Sequence, residues 1–190
     1  MRTALASLLS LLALTSATAA EEEVTISPAI SRTREYLHVY CDSRQHYPDG
    51  SWACALAHDF QFWIARARGQ LNPVTVVCSK YGARLALGPY GPLNAMFHLN
   101  DNLERCTSEQ DFNYDLAPWQ KANGGQADVN CRMRGDAWFY ADGRLRSCTS
   151  KGGRFAAQDG TGMKLYDCRG TVMFGEDGSL QPAGSECQAR

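Results

Sequence analysis

Long hydrophobic runs are absent from this 190-residue chain after its first twenty residues. The longest later apolar stretch, 60–67, is interrupted by Gln61 and Arg66, whereas a membrane span needs about 18 or more continuous apolar residues. Blocks of Lys and Arg are absent as well, and nucleic acid and anionic lipid both select clustered basic side chains. We therefore expect no membrane span in the mature form and no nucleic acid partner.

Local signatures of catalysis are also missing. The sequence contains no G-x-S-x-G, H-E-x-x-H or S-x-x-K pattern and no glycine-rich phosphate loop. Catalytic residues are therefore unassigned, and we predict neither a cofactor nor cofactor-binding residues. Whether the protein is an enzyme stays open at this point, and a role without catalysis is favoured.

The first twenty residues are typical of a secretory signal. Arg2 precedes an apolar run over 4–14 that only two serines interrupt, and small residues fill 16–20. A positive n-region, a short apolar segment and a small-residue cleavage site together predict a signal peptide over 1–20, cut after Ala19 or Ala20. Without Arg2 the chain carries 18 basic and 20 acidic side chains, a formal charge of −2. We predict a secreted or periplasmic protein.

Eight cysteines, all in the predicted mature part, indicate four disulfides, because an even set in an exported chain is normally paired. The absence of any C-x-x-C spacing argues against zinc and against a redox-active dithiol, so no metal site is predicted. No cysteine adjoins the cleavage site, so a lipid anchor is not expected. The cysteines are Cys41, Cys54, Cys78, Cys106, Cys131, Cys148, Cys168 and Cys187.

A degenerate repeat becomes visible when the chain is compared with itself. Segments 97–108 and 139–150 align without a gap and share Phe, Leu, Cys, Thr and Ser. Related copies lie at 46–54 and after Phe174, and a further cysteine precedes each copy. The repeat predicts an N-terminal lead segment over 21–38 and one β-repeat domain over 39–190, with units near 41–62, 78–112, 131–155 and 168–187.

Each copy centres on Asp-Gly or a substitute for it, which favours a two-residue type I′ hairpin turn. In the third copy such a turn pairs Tyr140 with Leu145 and Phe139 with Arg146. Strand alternation then puts Phe139 and Leu145 on opposite faces. The predicted turn residues are Asp49, Gly50, Asn100, Asp101, Asp142, Gly143, Asp177 and Gly178.

The resulting fold prediction is all-β: a meander of four degenerate β-hairpin repeats stapled by disulfides. Only 116–122 and 31–37 have the composition of a short helical turn. One pairing joins the cysteines that open and close each unit, Cys41–Cys54, Cys78–Cys106, Cys131–Cys148 and Cys168–Cys187. A second pairing joins neighbouring units, Cys54–Cys78, Cys106–Cys131 and Cys148–Cys168, and leaves Cys41 for Cys187.

Several residues are candidates for a metal site or a ligand-binding site, although ordinary structural roles explain them. The histidines are ordinary strand residues or, in the alternative, a metal site or general base. A calcium site is conceivable where oxygen-bearing side chains cluster, at Asn100, Asp101, Asn102 and Glu104. This segment lacks the pattern of the twelve-residue calcium loop, and it aligns with the Asp-Gly turn of the repeat. Tryptophans could fill the core or bind sugars or a protein. The histidines are His38, His46, His58 and His98, of which His46, His58 and His98 enter the alternative of a metal site or general base; the tryptophans are Trp52, Trp63, Trp119 and Trp138.

The aromatic-x-x-Asp-Gly-x-Leu units resemble those of MORN-type and related bacterial β-hairpin-repeat proteins, whose hairpins stack into an extended sheet. That resemblance implies a scaffold or binding role. We predict a binding or envelope-associated structural protein, with a protein or a glycan at the cell envelope as its partner. The alternatives are a small secreted enzyme acting on glycans or peptidoglycan, and a disulfide-rich protease inhibitor that presents the loop 88–92.

Overall fold

The computed structural model describes residues 21–28, 36–65, 74–82, 86–88 and 91–190. Within these ranges the protein is almost entirely antiparallel β structure, with one α-helix, α1 (Pro118–Ala122), and a 3₁₀ turn at Pro182–Gly184. The predicted all-β class is confirmed. The strands are β1 (Glu22–Ile26), β2 (Leu37–His46), β3 (Trp52–Leu56), β4 (Phe60–Ile64), β5 (Val74–Cys78), β6 (Ala86–Gly88), β7 (Gly91–Leu93), β8 (Ala95–Phe97), β9 (Leu103–Thr107), β10 (Phe112–Asp115), β11 (Asp128–Cys131), β12 (Asp136–Phe139), β13 (Leu145–Asp159), β14 (Gly162–Met173) and β15 (Cys187–Ala189).

Eleven of these strands form one meandering sheet, in which β1, β2, β3, β8, β9, β12 and β13 lie side by side in that order. Strand β14 pairs with β13 and carries β15, while β11 pairs with β13 and carries β10. Four hairpins therefore follow one another across the sheet: β2–β3, β8–β9, β12–β13, and the end of β14 with the bridge from Phe174 to Leu180.

The hairpin turns differ from the predicted type I′ form. In the third hairpin the amide of Gly143 donates to the Tyr140 carbonyl at 2.7 Å, and the amide of Tyr140 donates to the Arg144 carbonyl at 2.8 Å. Three residues therefore form the loop, and Gly143 has a positive φ of 79° whereas Asp142 is not among the residues with positive φ. This is a type I turn followed by a left-handed residue, the usual geometry of a three-residue hairpin loop.

The extra loop residue shifts the pairing next to the loop by one position, so the predicted pairs Tyr140–Leu145 and Phe139–Arg146 are wrong. A bulge between Trp138 and Phe139 absorbs the shift, so Trp138 lies opposite Ser147 and Ala137 opposite Cys148. Phe139 lies opposite Leu145, and Tyr140 pairs with Arg144. A shift of one residue moves a side chain to the other face of a strand. Phe139 and Leu145 consequently share the core face, where both are buried, instead of lying on opposite faces.

The same loop recurs in all four hairpins, with a common role for its acidic or amide residue. In each loop that side chain accepts a hydrogen bond from the backbone amide two residues later, an arrangement that stabilises turns. These bonds are Ser51 to Asp49 (3.0 Å), Asn102 to Asn100 (3.2 Å), Arg144 to Asp142 (3.0 Å) and Ser179 to Asp177 (2.9 Å). The left-handed position that follows is filled by Gly50, Asp101, Gly143 and Gly178.

The core lies on the face of the sheet that the hairpins share. Strands β4 and β5 form a separate two-stranded sheet, and their buried residues Phe62, Ile64 and Val76 belong to the same core cluster. Ring stacking contributes, since Trp52 lies on Phe97 with centroids 4.0 Å apart. The hairpins are therefore covered by a second layer, which removes apolar surface that a single sheet would leave in water.

All eight cysteines are paired, and the pairing is the one within units: Cys41–Cys54, Cys78–Cys106, Cys131–Cys148 and Cys168–Cys187. Three of these bonds join strands of the main sheet to one another. The bond from Cys78 on β5 to Cys106 on β9 instead ties the two-stranded sheet to the main sheet.

The single α-helix, α1, falls within the predicted turn at 116–122, whereas residues 31–35 of the other predicted turn lie outside the described residues. No helix in the described part of the chain has the length and apolar character needed to cross a membrane. The Gln120 side chain of α1 is fully buried and bonds both backbone groups of Ala156 on β13, at 2.8 and 2.7 Å. The Gln120 side chain thus satisfies the two backbone groups of Ala156 that a neighbouring strand would otherwise bond.

Candidate ligand groove

An open groove crosses the molecule beside β12, β13 and β14. It has three adjoining sections with volumes of about 740, 650 and 1130 Å3. Lys151 lines all three sections, Arg132 and Thr149 join the first two, and Arg169 and Glu186 join the last two. We call this continuous surface the groove.

The turn from β11 to β12 forms one wall of the groove. Arg134 adopts a left-handed φ of 59°, and its amide donates to the Ser108 carbonyl at 2.8 Å. Gly135 closes the turn, and a Cβ on this residue would lie 2.7 Å from the Thr149 Cβ, so a larger residue does not fit without movement. This close approach holds the exposed side chains of Arg132 and Arg134 at the rim of the groove.

The floor near β12 is a group of interacting polar and aromatic side chains. Trp138 lines the groove, and the guanidinium of Arg105 stacks over its ring, 4.2 Å from the centroid. Arg105 also bonds the Asp136 carboxylate at 2.7 Å, and the Thr107 hydroxyl donates to the same carboxylate at 2.9 Å. These contacts orient Trp138 and occupy both oxygens of Asp136.

The other carboxylates of the groove also have partners. Asp111 pairs with Lys151, whose hydrogen bond holds the pKa of Asp111 below its ordinary value. Hydrogen bonds from Arg190 and Arg154 lower the pKa of Asp167. Glu186 accepts the Thr171 amide at 3.1 Å, and this bond lowers its pKa. All three carboxylates are therefore ionised near neutral pH.

Three cations of the groove are left without such partners. Arg132, Arg134 and Arg169 are exposed, and no ion pair within 4.0 Å or hydrogen bond joins their guanidinium groups to the described residues. The charge of Arg132 contributes to the lowered pKa of Asp111 without direct contact. The planar guanidinium group of arginine matches the geometry of carboxylates and phosphates. The groove therefore presents unpaired guanidinium groups in all three sections: Arg132 and Arg134 in the first, Arg132 and Arg169 in the middle one, and Arg169 in the third.

The predicted turn residues lie at the loops and outside the groove. The four residues of the calcium hypothesis make protein contacts. The side-chain amides of Asn100 and Asn102 both donate to the Ala141 carbonyl at 2.7 Å, and Asp101 accepts from the Trp52 indole at 3.3 Å. These bonds connect the loops of neighbouring hairpins. Glu104 lies 3.9 Å from the His98 ring. The side chains of Asn100, Asp101 and Asn102 therefore stabilise the loop and its contacts with neighbouring hairpins.

The four histidines make separate contacts. His38 and His58 pair with Glu23 and Glu21 at 2.6 and 3.0 Å. His98 lies 3.0 Å from the Phe139 carbonyl, and His46 lies beside Trp52. No group of three or more His, Cys, Asp or Glu side chains in the described ranges is arranged to hold a metal ion.

The aromatic residues divide between core and surface. Trp52 is buried in the core, whereas Trp138 is half-buried and lines the groove; Trp63 and Trp119 are half-buried elsewhere. The loop at 88–92, considered for an inhibitor, borders the two-stranded pair β6–β7, and its residues 89 and 90 lie outside the described residues.

Comparisons with protein-family models, with curated proteins and with solved structures returned no match. The function of the groove is therefore inferred from its geometry and its lining residues.

Trp138 is the one groove residue that the sequence pattern also offered for ligand binding, whereas no pattern predicted a role for the groove arginines. The signal available was local: Arg132 and Arg134 flank one residue in a turn closed by glycine, immediately after Cys131. Nothing local connects this turn with Arg169, which lies on a later strand.

Proposed function

We propose that the mature chain is an exported, disulfide-stabilised β-repeat protein that binds an envelope or extracellular ligand in the groove. The observation that supports this most is that unpaired guanidinium groups and Trp138 line the same open groove. Tryptophan and arginine are the residue types most enriched where binding energy is concentrated.

The state of the carboxylates favours binding over hydrolysis. The general acid of a hydrolase has to carry a proton at the working pH, so its pKa is raised above the ordinary value. In the groove Asp111, Asp136 and Asp167 are paired with cations, and the pKa values of Asp111 and Asp167 are lowered. Lowered pKa values suit charge pairing and do not suit a proton donor.

The disulfides support function outside the cytoplasm, because four such bonds persist in an oxidising compartment. We propose that the protein is secreted or periplasmic and is released from a signal peptide over 1–20. Mass spectrometry of the exported form should find a first residue near Ala20 or Glu21. A mature protein that retains Met1 would contradict export by this route.

The binding proposal is tested with the exported protein and a panel of soluble polysaccharides and peptidoglycan fragments, followed by tryptophan fluorescence. The variant Thr171→Trp places a bulky ring at an exposed position that lines the groove, and Met163→Trp adds the same ring to β14 outside the groove. We expect at least one panel member to bind the wild type and Met163→Trp, and to bind Thr171→Trp at least about tenfold more weakly.

Three results would contradict the proposal. Binding that both tryptophan variants retain would place the ligand elsewhere. Shortened polysaccharide products after incubation, detected by size-exclusion chromatography, would support the enzyme instead. If no panel member binds, the proposed glycan-binding role fails.

A further inference from the structure

We propose that the groove recognises a linear polysaccharide bearing carboxylates, such as a polyuronate. This inference rests on the proposed binding function and specifies its ligand. It follows from three properties of the groove: its local charge, its shape and the chemistry of its lining.

The local charge is positive although the chain as a whole is slightly acidic. The groove contains Lys151 and Arg154, which are paired, and Arg132, Arg134 and Arg169, which are not. Among its acidic residues only Glu186 has no cationic partner, and its carboxylate accepts the Thr171 amide. Free guanidinium groups bind carboxylates through two parallel hydrogen bonds, so the excess charge selects an anion.

The shape favours an extended polymer over a compact metabolite. Small-molecule sites are concave and bury most of the ligand surface. Here three open sections adjoin one another, and the unpaired cations are distributed along them, with Arg134 in the section next to β12 and Arg169 in the two sections toward β15. A chain with a carboxylate on successive units could pair with several of these cations at once.

The lining favours a sugar over a peptide or a nucleic acid. Charged, hydroxyl and glycine residues make up most of the lining, including Thr149, Thr171, Gly152 and Gly153, while Met133 and Trp138 are the large apolar lining residues apart from the disulfides. Such a surface offers hydrogen bonds and few pockets for apolar peptide side chains. Binding of single-stranded nucleic acid relies on exposed aromatic rings on which bases stack, and one face of Trp138 is covered by the Arg105 guanidinium.

The test measures binding of oligogalacturonate and of its fully methyl-esterified form, which has the same backbone without charge. The probe variants are the double variant R132Q/R134Q and the single variant R169Q. The matched control is R146Q, since Arg146 is an exposed arginine of β13 outside the groove. Thermal melts verify that every variant is folded.

We expect the acidic oligomer to bind at least about tenfold more tightly than the ester and to weaken as salt is raised, because salt screens exposed charges. R132Q/R134Q should weaken binding about tenfold, R169Q by a smaller factor, and R146Q by less than about twofold.

Three outcomes would overturn the inference. Equal binding of acid and ester would leave the groove a glycan site without charge selection, so the proposed function would survive. Equal losses in R146Q and the groove variants would indicate nonspecific attraction. Tighter binding of an oligodeoxynucleotide or a sulfated polysaccharide than of oligogalacturonate would change the ligand class.

Discussion

Replacing Gly143 by valine should destabilise the third hairpin by an amount that its backbone geometry predicts. Gly143 has φ of 79°, its amide closes the turn, and its carbonyl accepts the Ala65 amide at 2.9 Å. A β-branched side chain at this φ costs about 1 to 3 kcal/mol, because its Cβ branches collide with the adjoining backbone. At about 2 to 4 °C per kcal/mol for a domain of this size, the melting temperature should fall by roughly 2 to 12 °C.

A second substitution distinguishes backbone strain from loss of space. In the second hairpin the equivalent position is held by Asp101, with φ of 60°. Asn and Asp tolerate the left-handed region better than other non-glycine residues. Gly143→Asn should therefore lower the melting temperature by less than half of the decrease that valine causes.

The control is Gly160→Val in the exposed turn between β13 and β14. The φ of Gly160 lies outside the left-handed range, and a Cβ built there has no heavy atom within 4 Å. Thermal melts of the oxidised proteins, followed by near-ultraviolet circular dichroism, should show Gly160→Val within about 2 °C of the wild type. The reasoning would be refuted if Gly143→Val melted with the wild type, or if asparagine and valine at this position cost the same.

Three further predictions concern buried and charged groups. Gln120→Leu should lower the free energy of unfolding by about 2 to 6 kcal/mol in urea titrations, because both buried backbone groups of Ala156 lose their partners; a loss below about 1 kcal/mol would mean that water replaces the amide. Hydrogen bonds from the Ser51 hydroxyl and amide lower the pKa of Asp49, so its contribution to stability is present above the unfolded pKa of about 3.9 and is lost as pH falls through the lower folded pKa. Asp49→Asn should therefore melt with a weaker dependence on pH below about 4 than the wild type, and parallel pH profiles would contradict this. Burial raises the pKa of Tyr114 to about 12, so a spectrophotometric titration should contain a late phenolate signal that Tyr114→Phe lacks, and its persistence in the variant would assign it to another tyrosine.

The strand class, the repeats and the positions of the turns follow from local sequence. The aromatic, Asp-Gly and leucine positions recur because each hairpin needs a left-handed loop residue, an acceptor for the following amide, and apolar residues toward the core. The loop length was not predicted correctly, because Asp-Gly occurs both in two-residue loops and in the three-residue loops found here. That single residue determines whether Leu145 faces the core with Phe139 or lies on the other face.

The disulfide partners show the limit of local reasoning. Both pairing schemes are compatible with the cysteine spacing, and the pairing within units is the one that the fold contains. The bond between Cys78 and Cys106 depends on the packing of the β4–β5 layer against β9, which no local pattern specifies.

The composition of the groove depends on tertiary structure alone. No basic block exists in the sequence, yet the β11–β12 turn and β14 bring Arg132, Arg134 and Arg169 to one channel. The long pairing of β13 with β14 places Arg169 beside this channel, because Ser150 lies opposite both Gly170 and Cys131. Sequence by itself therefore determined the repeating hairpin and its turn positions, through short-range conformational preferences. The register, the second layer and the collected charges depend on contacts between distant residues, which only the packed sheet brings together.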